Sequence, residues 1–90
     1  MVSYRKLRKI MKEHGVYLKE VQLETRIANG TLNKISHEEF MQLDKLDLII
    51  SAVEFIIKKK HKIDTRLDFG DVMERVTEEE RLEAVKQYRL

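Results

Sequence analysis

LKEVQLETRIANGTLNKIS, residues 18–36, is the stretch whose reading decides the fold. Leu18, Val21 and Thr25 recur at helical spacing, which puts them on one side of a helix of two turns. Arg26-Ile27-Ala28-Asn29 interrupts that spacing. A further short helix then carries Leu32 and Ile35 on one face, and Asn29 is placed to cap it. Val21, Ile27, Leu32 and Ile35 are the apolar residues that lock such a pair together. Two short helices held at a fixed angle by a tight turn form a helix-turn-helix, and the second helix of that motif is able to enter a DNA major groove.

Working outward, Tyr4, Leu7, Ile10 and Met11 predict a helix over residues 4–14, with Ser3 able to cap its start and Gly15 to end it. Its lysines and arginines are expected on the sides and outer face. Residues 36–42 read as a polar loop anchored by Phe40 and Met41. Leu43, Leu46, Ile49, Ile50, Val53, Ile56 and Ile57 then make the strongest periodic stripe in the chain and predict the central, most buried helix. Two readings stand for residues 58–69: a helix end followed by a loop, which the lysine run favours, or a β-hairpin within residues 54–67, where β-branched side chains are dense. Val72, Met73 and Val76 predict a short fifth helix. Thr77-Glu78-Glu79-Glu80 is a capping box that starts a last helix bearing Leu82, Val85 and Tyr88. The expected fold is all-α, a bundle of five or six helices. Residues 1–76 form the helix-turn-helix domain with a connector near 58–68, and residues 77–90 form a C-terminal helix.

Composition narrows the function classes. The chain has 90 residues, the length of one small domain, with no proline and three glycines, so few breakers interrupt its helices. It has no cysteine, which excludes disulfides and thiolate metal sites and fits a reducing, cytoplasmic setting. The start, Met1-Val2-Ser3-Tyr4-Arg5-Lys6, has no apolar run behind its charges and does not read as a secretory signal. No apolar stretch is long enough to cross a bilayer, so no membrane partner is expected. His14, His37 and His61 lack ligand spacing, and no nucleophile triad, phosphate-binding loop or acidic metal pair emerges. Neither a cofactor nor an enzymatic activity is expected. The net charge is only +2, but residues 1–12 carry five positive charges and no negative one, whereas residues 64–83 carry eight acidic and three basic side chains. A basic face attracts polyanions by releasing their counterions, although a charge run is equally often just a solvated helix face.

These residues together resemble the Cro/repressor-type (Xre-like) helix-turn-helix regulators. Ile27 followed by Thr31-Leu32-Asn33-Lys34-Ile35 is similar to that family's Ile-Ser-x-x-Thr-Leu-Ser-Lys-Leu pattern. The opening Met1 to Leu7, the run from Leu43-Asp44 through Leu46-Asp47 to Ile49 and Ala52, and Phe69-Gly70-Asp71-Val72 are similar to its first, fourth and fifth helices. The resemblance covers residues 1–57, with about a dozen residues inserted before it resumes at 69–76. It implies a bundle of the lambda-repressor-like type that binds double-stranded DNA. Carried onto this chain, the base-reading positions are Ala28, Asn29, Gly30, Thr31 and Asn33, with Lys34 and His37 close by. Arg5, Lys6, Arg8, Lys9 and Lys12 either clamp phosphates or are only solvated, and Lys19 and Arg26 are further candidate phosphate contacts. Asn reads adenine and Thr meets the thymine methyl, and no arginine is present on this helix to read guanine, so an A·T-rich site is implied. The family's use of paired half-sites implies a homodimer; the Leu82–Val85–Tyr88 stripe has two readings of equal weight, packing on the domain's own core or forming that contact. The departures are Gln22 where the family has alanine, Arg26 where it has a turn glycine, and Ala28 where it has a capping serine. They motivate the alternative of a protein-binding module (antirepressor, inhibitor or assembly factor) on a degenerate scaffold.

Overall fold

The computed structural model describes residues 1–90 and is an all-α bundle of six helices with one two-stranded sheet. The elements are β1 (Val2–Ser3), α1 (Arg5–His14), α2 (Leu18–Thr25), α3 (Asn29–Ser36), α4 (Leu43–His61), α5 (Phe69–Val72), β2 (Glu74–Arg75) and α6 (Glu78–Lys86). The bounds of α2 and α3 are those the apolar spacing implies. α1 begins at Arg5, and the Ser3 hydroxyl accepts the Arg5 N–H at 3.2 Å, which satisfies one of the free donors of its first turn. Gly15 ends α1 at φ 65°, a left-handed position that costs a glycine little.

α4 is the centre. Leu46, Ile49, Ile50, Ala52, Val53, Ile56 and Ile57 are all buried, and they meet Leu7 and Met11 of α1, Val21 of α2, Leu32 and Ile35 of α3 and Val72 of α5 in one core. Each fully buried aliphatic side chain here contributes roughly 1.5–3 kcal/mol relative to exposure. Leu43, counted in the stripe from its spacing, is half exposed, because it opens the helix before the core begins. α4 runs on through the lysines to His61 and stops with Lys62 in the left-handed region at φ 60°. Residues 62–68 form a loop, so the hairpin alternative is not realised. The extended end of α4 is pinned to the end of α1: Lys60 Nζ donates to the Gly15 carbonyl at 2.6 Å, His61 Nε2 lies 2.7 Å from the His14 carbonyl, and the two imidazoles meet edge to face.

Several expectations need correction. Strands are present: β1 pairs antiparallel with β2, Val2 opposite Arg75 and Ser3 opposite Glu74. Two residues per strand leave no periodicity to detect. The fifth helix is only Phe69–Val72, started by Asp68 and Asp71 in a reciprocal capping box; Met73 is already extended, and Val76 lies beyond β2. Phe40 is not an anchor: it is 72% exposed, while Met41 is buried. The last helix begins at the Thr77 capping box as its sequence implies, but it ends at Lys86 rather than running to residue 90, so Tyr88 lies beyond it, and of the expected stripe Val85 is half-buried while Leu82 faces outward. Ala84 is the residue it buries, where α6 lies beside β1 and the Ala84 carbonyl accepts from Arg8 of α1, and Leu82 is 58% exposed.

The most consequential correction concerns Arg8, which is buried rather than on the outer face of α1. Its guanidinium pairs with the buried carboxylate of Glu38 and donates to the carbonyls of Ile35 at 2.7 Å, Gln87 at 3.3 Å and Ala84. Glu38 in turn accepts the Tyr4 N–H at 3.1 and 3.3 Å, its own carbonyl accepts from Arg81 Nε at 3.0 Å, and the Tyr4 hydroxyl accepts the Met41 N–H at 3.0 Å. This network joins α1, the loop after α3, and α6. Burial, then the neighbouring Arg5 charge, pulls the Arg8 guanidinium down to about 10, so it stays protonated at neutral pH and pairs with the Glu38 carboxylate.

Candidate nucleic-acid interface

The turn between α2 and α3 is residues 26–28. Arg26 ends α2 at φ 61°, the left-handed conformation that the turn glycine of the resembled pattern implies, held here by an arginine at a cost of roughly 1 kcal/mol. Thr25 helps to hold the turn, with its hydroxyl donating to the Val21 carbonyl at 2.8 Å and accepting the Ile27 N–H at 3.2 Å. Ile27 is buried, which fixes α3 against the core through Leu32 and Ile35. Asn29 does not cap α3, because it is already the first helical residue. Ala28 holds the capping position, with no side-chain oxygen to offer, so the first N–H groups of α3 have no side-chain partner.

The burial pattern sorts the face of α3. Asn29, Gly30 and Asn33 are exposed, and Thr31 and Lys34 are half-buried. Their side chains, like those of Lys19, Arg26 and His37, enter no ion pair and no side-chain hydrogen bond of the protein. The structure thus brings Asn29, Gly30, Thr31, Asn33 and Lys34 together on one short helix, with Arg26 at its entrance and His37 at its exit. Lys19 is exposed on the first turn of α2. Arg5 and Lys6 belong elsewhere. Arg5 pairs with Glu74 and lies 3.8 Å from Glu80, and its pKa is raised chiefly by the Glu74 hydrogen bond. Lys6 Nζ donates to the Gly70 carbonyl at 3.2 Å. The start of α1 therefore spends its charge on β2, α5 and α6.

The exit of α3 is built by a residue the sequence reading passed over. α3 closes with His37 at the cap, Glu38 at φ 58° and the Glu39 N–H donating to the Lys34 carbonyl at 3.0 Å, the pattern of a left-handed helix stop in which glycine is usual. Glu38 accepts that strain because its carboxylate is held by Arg8 and the Tyr4 N–H. The same region carries a second missed residue. Arg89 lines a cleft of about 290 Å³ with Ser36, His37 and Arg8, so the C-terminal segment adds a cation beside the end of α3. The signal for Glu38 was an acidic residue between a helix end and an apolar anchor; for Arg89 the chain offers none, since residues 37 and 89 meet only in three dimensions.

Comparison with protein-family models, with curated proteins and with solved structures finds no match for this chain.

Proposed function

We propose that the protein is a sequence-specific DNA-binding regulator of transcription, of the Cro/repressor (Xre-like) kind found in phages, plasmids and bacteria, acting in the cytoplasm with α3 in the major groove of an A·T-rich duplex. One observation carries the reading: the polar side chains on α3 and at both of its ends are uncommitted within the protein, while the arginines at the start of α1 are consumed by internal contacts. A surface of unpartnered amides, hydroxyl and cations on a helix held by a rigid core is suited to base edges and phosphates. Asn29 and Asn33 supply the bidentate amides, Thr31 the methyl contact, and Lys19, Arg26, Lys34 and His37 the phosphate side. Occupying a promoter in this way excludes other proteins from it.

Titrating salt against binding to A·T-rich and mixed-sequence duplexes, read by fluorescence anisotropy, tests the proposal. Affinity falls linearly with salt on logarithmic axes, and the slope reports the phosphates neutralised. Asn33→Ala narrows the preference for the A·T-rich duplex, whereas Lys34→Ala weakens both duplexes. Absence of binding at low salt refutes the reading. A second reading, a protein-binding module of the antirepressor, inhibitor or assembly-factor class, is favoured by the exposed apolar side chains of α4 and by the lack of any arginine on α3. No helix of the chain is long and apolar enough to cross a membrane, and the reading assigns it no membrane partner.

A further inference from the structure

α4 has an outer face as well as a core face, and its residues are ordered symmetrically. Asp44, Leu48, Ser51 and Phe55 follow one another at helical spacing on the side opposite the core, and Lys59 continues the row. Leu48 and Phe55 are 48% and 53% exposed on the side of α4 away from the core, where, with Leu43 at the helix start, they are its large apolar side chains left to solvent. Ser51, between them, is small and exposed. Asp44 and Lys59 enter no ion pair within the chain. Leu48 lies as far before the Ser51–Ala52 midpoint as Phe55 lies after it, and the same holds for Asp44 and Lys59.

From this order we infer that the outer face of α4 is a self-association surface, where a second copy of this chain packs its own α4 antiparallel across a two-fold axis near Ser51. A two-fold contact requires a patch complementary to itself. Here Leu48 meets the partner's Phe55 twice over, and Asp44 meets the partner's Lys59 twice over. Asp44 and Lys59 are separated by about 22 Å along the helix at the usual rise, so the charges frame the apolar centre at both rims. Ser51 at the crossing lets the two backbones approach. The patch is small, so the association is weak, with a Kd on the order of 10 µM to 1 mM. This surface is independent of DNA binding, and it makes α4 rather than the exposed Leu82 of α6 the contact.

Sedimentation equilibrium over concentrations up to about 1 mM tests it. The wild-type chain is expected to shift from monomer to dimer, and Phe55→Ser to remain monomeric. Lys59→Glu and Asp44→Lys, measured separately, each turn two attractions into two repulsions and weaken association about tenfold. Mixed in equal amounts they restore it. In the mixed dimer the carboxylate introduced at position 59 of one chain faces the ammonium introduced at position 44 of the other, and the remaining Asp44 faces the remaining Lys59. Helical circular dichroism of each variant checks that it is folded, and recovery in the mixture cannot come from unfolded chains. A wild-type chain that stays monomeric, a dimer indifferent to Phe55→Ser, or a mixture no better than its components would each overturn the inference.

Discussion

Arg8→Met is the sharpest test of how this small domain is held together. The substitution keeps most of the side-chain volume and the apolar stem, and removes the charge. It leaves the Glu38 carboxylate buried without its guanidinium, and it strips the Ile35, Ala84 and Gln87 carbonyls of a donor. Breaking one partner of a buried ion pair costs about 3–5 kcal/mol, because the survivor keeps its desolvation penalty without the attraction. A domain of this size has on the order of 5–13 kcal/mol of stability in total, so the loss is a large fraction of it. The melting temperature should fall by at least about 12 °C. Glu38→Gln should cost less, since its amide oxygen still accepts the Tyr4 N–H, and the double variant Arg8→Met/Glu38→Gln should cost less than the sum of the two. Urea unfolding followed by circular dichroism at four corners of this cycle measures the coupling. A loss below about 1 kcal/mol for Arg8→Met, or additivity of the two changes, would refute the claim that the pair is a buried, mutually dependent unit.

Four other perturbations read other parts of the structure. Tyr4→Phe removes the acceptor of the buried Met41 N–H and should cost about 1–3 kcal/mol in the same unfolding assay. Arg26→Gly relieves the left-handed turn residue; stability should rise by up to about 1 kcal/mol, while DNA affinity falls with the lost charge. Thr77→Ala removes the hydroxyl that accepts the Glu80 N–H and should cost about 0.5–2 kcal/mol, with faster amide exchange across the first turn of α6. The Glu20 pKa is lowered, chiefly by the hydrogen bond from Lys60. Because the folded value lies below the unfolded one, the stabilisation is present above the ordinary glutamate range and is lost as pH falls through the folded pKa. In a carboxyl-carbon NMR titration Lys60→Gln should move Glu20 upward, and no movement would show that the pair is not formed in solution.

Much of the helical layout was legible in the sequence. α2 and α3 are bounded by an apolar spacing that any two-turn amphipathic helix must have, and α4 by a stripe that has to be buried. The Thr77 capping box located the start of α6 because the cap is a local exchange of two hydrogen bonds. Arg26 in the left-handed region is what the resemblance implied, through the glycine that the similar family carries at this turn, and not what the arginine's own steric preference favours. The candidate reading face was legible as a set of residues on α3, since one helix of eight residues brings them together without help from the rest of the chain. Its separation from Arg5 and Lys6 was not: those side chains look like free cations until β2, α5 and α6 arrive beside them.

What the sequence by itself determined is therefore the order of the helices and the inward faces of α2, α3 and α4, quantities set by neighbours a few residues away. Tertiary structure alone decided which charges are free and which are spent. Arg8 and Glu38 are 30 residues apart, and nothing local marks one arginine among five N-terminal cations as buried. Desolvating a guanidinium is unfavourable until a carboxylate and several carbonyls surround it at once, and only the assembled fold provides them. The same reason explains the short β1–β2 pairing and the inward turn of Ala84: each is a contact whose free energy exists only after distant segments have already met.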